Sequence, residues 1–493
     1  MISPNDHRLA TGFLAQGGWG VLARNPVACA VLCVVIVAAM GLGLRPLTAI
    51  DETRYLAVAW EMHLSGNGWV PSKNFAPYSD KPPLLFWAIN LVWMLTDVSE
   101  FAARMVVPVA AGAAIWLTAR LAARLWPEDR AIGGRAALAL AGLGVFAVWG
   151  GLTMFDVPLM LAVLAGVLCL VRADNAARGA YAWLGFGAAI GVGVLTKGPV
   201  ILFHLLPLAL TLPLWGRGGM AWRRLAPGLG LAMLCAAGLV ALWLVPAALL
   251  GGAEYRTAIL WHQSAGRMAA SFAHARPWWF YLAALPVLVF PLGWTPALWR
   301  AGRRADWRGD MGLRLALIWI AAALVLFSLT SGKQVHYLVP ELPALALIAA
   351  RMTRAMRPFW TAMAVVAAGV LGVNLLIGMT RIGTDYSSHP IAAALAPWGD
   401  DGLAYVGAPY HAQFNFAARL RAPVATPADA EELAAWMAAH RQGRIVGRQG
   451  AAAPAWPARQ VIRFDGADYG IWAVAGAAQM APSAPPLVIG DNR

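Results

Sequence analysis

The sequence predicts an all-α polytopic membrane protein of about eleven transmembrane helices, followed by a small C-terminal α/β domain. Three observations carry that expectation. First, 60% of the 493 residues are hydrophobic and only 13% are charged, where a soluble domain carries roughly 25% charged residues. Second, apolar runs of bilayer length recur through the first three quarters of the chain, the clearest at 27–47, 101–122, 225–250, 278–298, 313–329 and 359–379. Such a span needs about 20 residues, and fewer where flanking side chains snorkel. Third, the basic residues gather in short connections between the runs: Arg120/Arg124/Arg130/Arg135, Arg217/Arg223/Arg224, Arg300/Arg303/Arg304/Arg308 and Arg351/Arg354/Arg357. A soluble fold would have to bury every run, and so small a charged fraction would not solvate it.

The elements follow from charge and length. Arg8 and Arg24 precede the first run, and no small-residue cleavage site follows it; Pro46 leads instead into Asp51-Glu52-Thr53-Arg54. An uncleaved signal anchor with a cytoplasmic N-terminus is expected. The Arg clusters mark the cytoplasmic side, so an even number of crossings separates neighbouring clusters. The run 27–47 takes the chain out, Asp51 begins an outer loop, and 101–122 returns it to Arg120 and Arg124. The stretch 84–95 therefore does not cross. It is also too short, and is placed along the outer interface, a depth that suits Trp87 and Trp93. Beyond it, 136–149 runs out, 157–171 in, 181–195 out, 200–215 in, 225–250 out, 278–298 in, 313–329 out, 338–350 in and 359–379 out.

The expected division is a transmembrane domain over 1–383, with its outer loop and interfacial helix at 51–100, and a small periplasmic α/β domain over 384–493. In the latter, strand-like runs at 403–406, 460–464 and 469–474 accompany a helical stretch near 431–440, and no catalytic motif stands out. No sequence repeat suggests a transporter built from two related halves. Cys29, Cys33, Cys169 and Cys235 all lie inside apolar runs and read as small buried hydrophobes, with neither a disulfide framework nor a zinc motif. The net charge of +14 sits in the connections, so it sets topology and points to the lipid bilayer as partner, not to nucleic acid.

Sorting the ionisable residues by side isolates a constellation on the outer face: Asp51, Glu52, Arg54, Lys73, Asp80, Lys81, Asp156, Lys197, His262, Arg267 and Lys333. Ionisable groups near membrane depth are costly and default to functional candidates. Of 38 basic residues only four are lysines, Lys73, Lys81, Lys197 and Lys333, and all four fall on this side. A compact ammonium suits a phosphate or sugar oxygen at a tight spot; snorkelling anchors at the interface are the bland alternative. Asp51, ending the first helix, and Asp156, opening the fourth, lie at similar depth and are able to converge. The helix macrodipole explains Asp156 at an N-terminus without any function, but disfavours Asp51 at a C-terminal end. His204, within an apolar run, reads as a hydrogen-bonded core histidine.

Five strings then fall in order: Asp51-Glu52-x-Arg54-Tyr55, Tyr78-x-Asp80-Lys81-Pro82-Pro83, Asp156-x-Pro158, Leu195-Thr196-Lys197-Gly198-Pro199, and Ser331-Gly332-Lys333…Tyr337…Pro340. Together they resemble the bacterial GT-C class membrane glycosyltransferases. The nearest likeness is to the lipid A aminoarabinose transferase and its relatives in the protein mannosyltransferase superfamily, over roughly 27–350. That resemblance implies a polyprenyl-phosphate-linked sugar donor and transfer, on the outer side of a bacterial inner membrane, to an envelope acceptor such as lipid A. It casts Asp51 as the essential acid, with Glu52 and Asp156 as further catalytic candidates. Lys81, Arg267 and Tyr337 would hold the carrier phosphate, with Arg54, Tyr55 and Tyr78 beside it and Lys197 and Lys333 as further donor-binding candidates. Arg267 belongs to Trp261-His262-Gln263-Ser264-Ala265-Gly266-Arg267, similar to the family's His…Arg string. Asp80 stands where the aminoarabinose transferase more usually has Glu, which leaves a divalent metal open.

Polyprenyl phosphate is already a good leaving group, so the chemistry asks for fixed positive charge at the phosphate and a carboxylate at the acceptor. A lipid-borne donor also accounts for the lack of a Gly-rich nucleotide loop. The competing expectations are a lipid-linked sugar flippase or transporter and an O-antigen-polymerase-like enzyme. A transporter would place its ionisable groups at mid-membrane, whereas here they cluster at helix ends.

Overall fold

The computed structural model describes residues 25–174, 179–217, 222–260, 275–450 and 454–475. The chain forms two compact units, each assembled from separate stretches: Met1–Met40, Met105–Pro246 and Thr257–Leu371 in the first, and Gly41–Arg104, Ala247–Arg256 and Gly372–Arg493 in the second.

Among the described residues, seven helices are long and apolar enough to cross a membrane: Pro26–Leu44, Glu100–Leu125, Asp156–Ala173, Gly179–Lys197, Leu225–Leu250, Met311–Leu329 and Arg357–Met379. Their surfaces fit lipid. On Pro26–Leu44, Ala30, Val34, Ala38 and Leu42 are buried while Leu32, Ile36 and Met40 are exposed. These are two opposite stripes at four-residue spacing, and both are apolar. Water would penalise the exposed stripe; hydrocarbon does not. The protein is a multi-pass membrane protein.

Four expected spans differ from continuous helices. The run 136–149 divides into Ile132–Ala141 and Gly144–Trp149, 200–215 into Ile201–Leu210 and Leu212–Trp215, and 278–298 into Phe280–Leu288, a 3-10 turn Leu292–Trp294 and Pro296–Gly302. The run 338–350 begins as a 3-10 helix, Val335–Glu341, before Leu342–Met352. The first and third breaks share a cause. Pro291 has no N–H and disfavours helical backbone at Phe290, which leaves the Phe290 carbonyl free to accept the Gly144 N–H at 3.0 Å. Gly142 makes the other side of that break possible, because a Cβ there would sit 3.0 Å from Ala362 Cβ, from Met363 N and from its own Leu138 carbonyl. Non-helical backbone at such a place is tolerated because protein groups satisfy it.

The second unit carries two sheets. A short hairpin pairs β1 (Ser72–Lys73) antiparallel with β2 (Ala76–Pro77) and precedes the helix Leu84–Thr96. The C-terminal sheet has the order β3-β4-β6-β5, from β3 (Leu403–Val406), β4 (Arg444–Arg448), β5 (Gln460–Phe464) and β6 (Ala467–Ala473). β3 and β4 are parallel, as a helical crossover requires, and the helix Ala430–Ala439 supplies it. Asp429 caps that helix, its carboxylate accepting the Glu432 N–H at 2.8 Å. Ala404, Val406, Leu433, Ile445, Trp472 and Val474 form the core beneath. β4 was not expected from the sequence. Its Arg-Ile-Val-Gly-Arg is short and charge-flanked, and both neighbours in the sheet are distant in sequence.

Candidate active site

In the second unit, the first helix ends at Leu44 and Asp51 opens a separate helix, Asp51–Ser65. This corrects the expectation that Asp51 sits at a C-terminal end: it stands at an N-terminus, where the dipole favours a carboxylate. Dipole strain is therefore no argument for its function. Its surroundings are. The Asp51 side chain is 48% exposed and ion-paired with Arg54, while Tyr55 Oη donates to Asp51 Oδ1 at 3.2 Å. Burial, with the Asp51 charge adding to it, pushes the Tyr55 hydroxyl well above its ordinary value, so it remains a donor. Tyr78 is buried and lies under the Lys73 ammonium, 5.6 Å from its ring centroid. Asp80 and Lys81 follow, half-buried in the connection to Leu84–Thr96.

Glu52 faces the other way. It is 2% exposed and takes a bidentate pair from Arg45 at 2.5 and 3.1 Å. Arg104 Nη2 lies 3.7 Å from the same carboxylate, and Arg104 Nη1 donates to Glu100 at 2.8 Å. Glu100 in turn meets His389 Nε2 at 2.9 Å. The result is an alternating chain, Arg45–Glu52–Arg104–Glu100–His389, that anchors the residue next to Asp51. The sequence pointed to Glu52 but not to its partners, because Arg45, Glu100 and His389 belong to no motif.

The C-terminal segment also reaches this region of the second unit. Asn74 and Val424 exchange two hydrogen bonds of 2.8 Å, the Trp60 indole donates to the Leu420 carbonyl at 2.9 Å, and Trp93 stacks on Phe416 with centroids 5.6 Å apart. Partial burial, and then the Arg54 and Lys73 charges, hold the His411 imidazole below its ordinary value of 6.5, against the opposing charges of Asp51 and Asp80. His411 is thus a neutral group in the electrostatic reach of Asp51. No sequence signal marked it.

In the first unit, Asp156 opens Asp156–Ala173 as expected and is 1% exposed. Lys197 closes the neighbouring helix Gly179–Lys197, where Gly198 at φ 79° ends the helix in the left-handed conformation that favours glycine. The two side chains meet, Lys197 Nζ donating to Asp156 Oδ1 at 2.6 Å, and the ammonium also lies 5.0 Å from the Tyr337 ring centroid. Lys333 is 4% exposed and donates to the carbonyls of Arg276, at 3.0 Å, and Thr330. His204 is a core histidine, its Nδ1 2.5 Å from Glu341 Oε1. His262 and Arg267 lie outside the described residues. Among the described residues no three His, Cys, Asp or Glu side chains converge as metal ligands.

Residues 80–244 match the sequence model of a family described as dolichyl-phosphate-mannose-protein mannosyltransferase. The chain is 33% identical over 312 residues to undecaprenyl phosphate-alpha-4-amino-4-deoxy-L-arabinose arabinosyl transferase 1 of Pseudomonas fluorescens (strain Pf0-1), covering 60% of this chain and 52% of that protein. It is likewise 33% identical over 306 residues to the corresponding transferase of Pseudomonas aeruginosa (strain UCBPP-PA14), covering 60% and 54%. The chain spans about half the length of the curated relatives it matches. The fold extends further. The crystal structure of ArnT from Cupriavidus metallidurans in the apo state superposes with a TM-score of 0.74 at 21% identity, covering 95% of this chain and 100% of that one. The same protein bound to undecaprenyl phosphate gives 0.70 at 20% identity, with 96% and 100% covered. The likeness read from the five strings is therefore present in sequence and, over almost the whole chain, in fold.

Proposed function

We propose that this protein is a membrane glycosyltransferase that moves a sugar from a polyprenyl-phosphate carrier to an envelope acceptor such as lipid A, at the periplasmic face of a bacterial inner membrane. The observation that carries the reading is the accessible Asp51 carboxylate, held at a helix N-terminus by Arg54 and Tyr55 with Glu52 locked behind it. The fold shared with the undecaprenyl phosphate-bound ArnT supports it. In the proposed topology, each interrupted segment counts as one pass, giving about eleven passes, with the N-terminus cytoplasmic and the C-terminal sheet periplasmic.

In the reaction, the bond from the anomeric carbon to the phosphate oxygen breaks with its electron pair going to the phosphate, and an acceptor oxygen bonds to that carbon. The transition state is oxocarbenium-like, and one attack inverts the anomeric centre. Lys81 and Arg267 hold the departing phosphate, a contribution of a few kcal/mol where water is scarce. Arg54 and Tyr78 flank it. Asp51 takes the proton of a hydroxyl acceptor, or orients the acceptor and balances charge if that acceptor is a phosphate. Asp156, neutralised by Lys197, positions the sugar, with Tyr337 alongside. Comparing the envelope glycolipids of cells with and without the protein by mass spectrometry tests the reading: a sugar-sized mass increment that depends on the chain is expected, and identical glycolipid profiles sink it.

A further inference from the structure

A cavity of about 530 Å³ lies within the second unit, in the size range of small-molecule sites. Ser65, Asn67 and Ser72 give it hydroxyl and amide groups, Phe75 gives it an apolar face, Arg421 adds a guanidinium, and the Glu61 carboxylate also lines it, engaged by the hairpin N–H groups. Neither Asp51, Tyr78 nor Lys81 is among its described lining residues, so it is separate from the groups assigned to the carrier phosphate. Two of its polar groups are held by the protein itself: the Ser65 hydroxyl donates to the Met62 carbonyl at 3.3 Å and accepts the Asn67 N–H at 3.2 Å. The Asn67 carbonyl oxygen accepts the Trp69 and Val70 N–H groups at 2.9 and 3.2 Å, which directs its NH2 elsewhere. Arg421 is exposed and makes no hydrogen bond or ion pair among the described residues.

The hairpin that borders the cavity is the sharper sign. Its two turn residues, Asn74 and Phe75, have φ of 54° and 62°. A two-residue turn with both φ positive strongly prefers Asn followed by Gly. Asn74 fits that rule and Phe75 breaks it, since a bulky side chain is strained there. The buried Glu61 holds the turn in place, accepting the Asn74 N–H at 2.8 Å, the Phe75 N–H at 2.7 Å and the Asn415 amide at 2.9 Å. Backbone strain that the surroundings enforce is typical of binding sites. Here it keeps an aromatic ring on the cavity wall with no ring partner among the described residues.

We propose that this cavity binds the phosphorylated saccharide headgroup of the acceptor. The flat C–H face of a sugar stacks on Phe75, its hydroxyls bond to Ser65, Asn67 and Ser72, and Arg421 pairs with the phosphate through its planar fork. The inference rests on the transferase reading for the word acceptor, and on the cavity alone for the ligand chemistry.

Binding to the purified full-length protein in detergent tests it, using diphosphoryl lipid A, glucosamine 1-phosphate and inorganic phosphate as probes. Lipid A and glucosamine 1-phosphate are expected to bind, with inorganic phosphate much weaker. Phe75→Gly and Arg421→Ala are each expected to raise the Kd for both sugar probes about tenfold. Phe75→Gly is also expected to unfold at or above the wild-type temperature, because Gly accepts the left-handed turn that Phe resists; a merely structural Phe75 would show the reverse. Binding of a radiolabelled polyprenyl-phosphate sugar is expected to match wild type in both variants. Wild-type Kd values in both variants overturn the proposal, and so does inorganic phosphate binding as tightly as the sugar phosphate. Absence of sugar transfer by the wild-type protein overturns the transferase reading instead, and leaves these binding measurements standing.

Discussion

Lys197 Nζ lies 2.6 Å from Asp156 Oδ1, joining the last turn of one helix to the first residue of the other across 41 positions of sequence. The carboxylate is 2% exposed and the ammonium 15%, so each neutralises the other in a place where neither is fully hydrated. Lys197 therefore spends much of its charge on Asp156 and is a weaker candidate for a phosphate ligand than its Thr-Lys-Gly-Pro setting suggested. Asp156 is correspondingly better suited to positioning than to accepting a proton.

Breaking that pair from one side is expected to be costly. Asp156→Asn or Lys197→Met alone should each destabilise the first unit by about 3 kcal/mol, because an unpaired charge remains buried. Combining Asp156→Asn with Lys197→Met should recover much of the loss while leaving transfer impaired. Thermal unfolding in detergent supplies the double-mutant cycle; strictly additive losses would show that the pair is not coupled.

Asp51→Asn is expected to lower sugar transfer about a hundredfold or more with the fold and donor binding intact, since the side chain is half exposed and Asn is nearly isosteric. Lys81→Ala should weaken donor binding and slow transfer together, because the phosphate is charged both before and after the bond breaks. Single-turnover transfer from a radiolabelled polyprenyl-phosphate sugar separates the two. Near-normal transfer by Asp51→Asn would overturn the assignment of Asp51 as the central acid.

The His389–Glu100 contact predicts a pH dependence of stability. The hydrogen bond to Glu100 raises the His389 imidazole above its ordinary value of 6.5, against partial burial and the charges of Arg104 and Arg419. A raised native value means the native state binds the proton more tightly than the unfolded one. The contribution is complete below about 6.5 and is lost as pH rises through the native value. The unfolding temperature should therefore fall over that window, and His389→Gln should flatten the fall. The contribution is small, because the ring is 54% exposed and solvent screens it. An unchanged pH profile in the variant would remove His389 from the charge chain.

The proposed orientation puts Lys73 and Arg303 on opposite sides of the membrane. Single cysteines introduced at the two positions should react with an impermeant thiol reagent from opposite faces, Lys73→Cys from the periplasm. Labelling of both from one side would overturn the topology, and with it the placement of Leu84–Thr96 along the outer interface.

The sequence by itself determined, to within a few residues, where the seven long apolar helices among the described residues lie. The run 157–171 became Asp156–Ala173, 313–329 became Met311–Leu329 and 359–379 became Arg357–Met379, because partition into hydrocarbon depends on composition over about 20 consecutive residues and is a local property. It also singled out Asp51, Asp156 and the lysines, because a charge beside an apolar run is visible without knowing what it touches. Only the tertiary structure decided the partners. Glu341 meets His204 across 137 residues, Glu52 is clamped by Arg45 and Arg104, and His411 enters the field of Asp51 from the far end of the chain. The tertiary structure also broke helices that hydropathy read as whole, at Gly142 and Pro291, where the Phe290 carbonyl replaces a helical acceptor. It moved Asp51 from the end of one helix to the start of another. Hydropathy sums over a window and carries no record of which backbone group is satisfied by which neighbour; that pairing exists only once the helices pack.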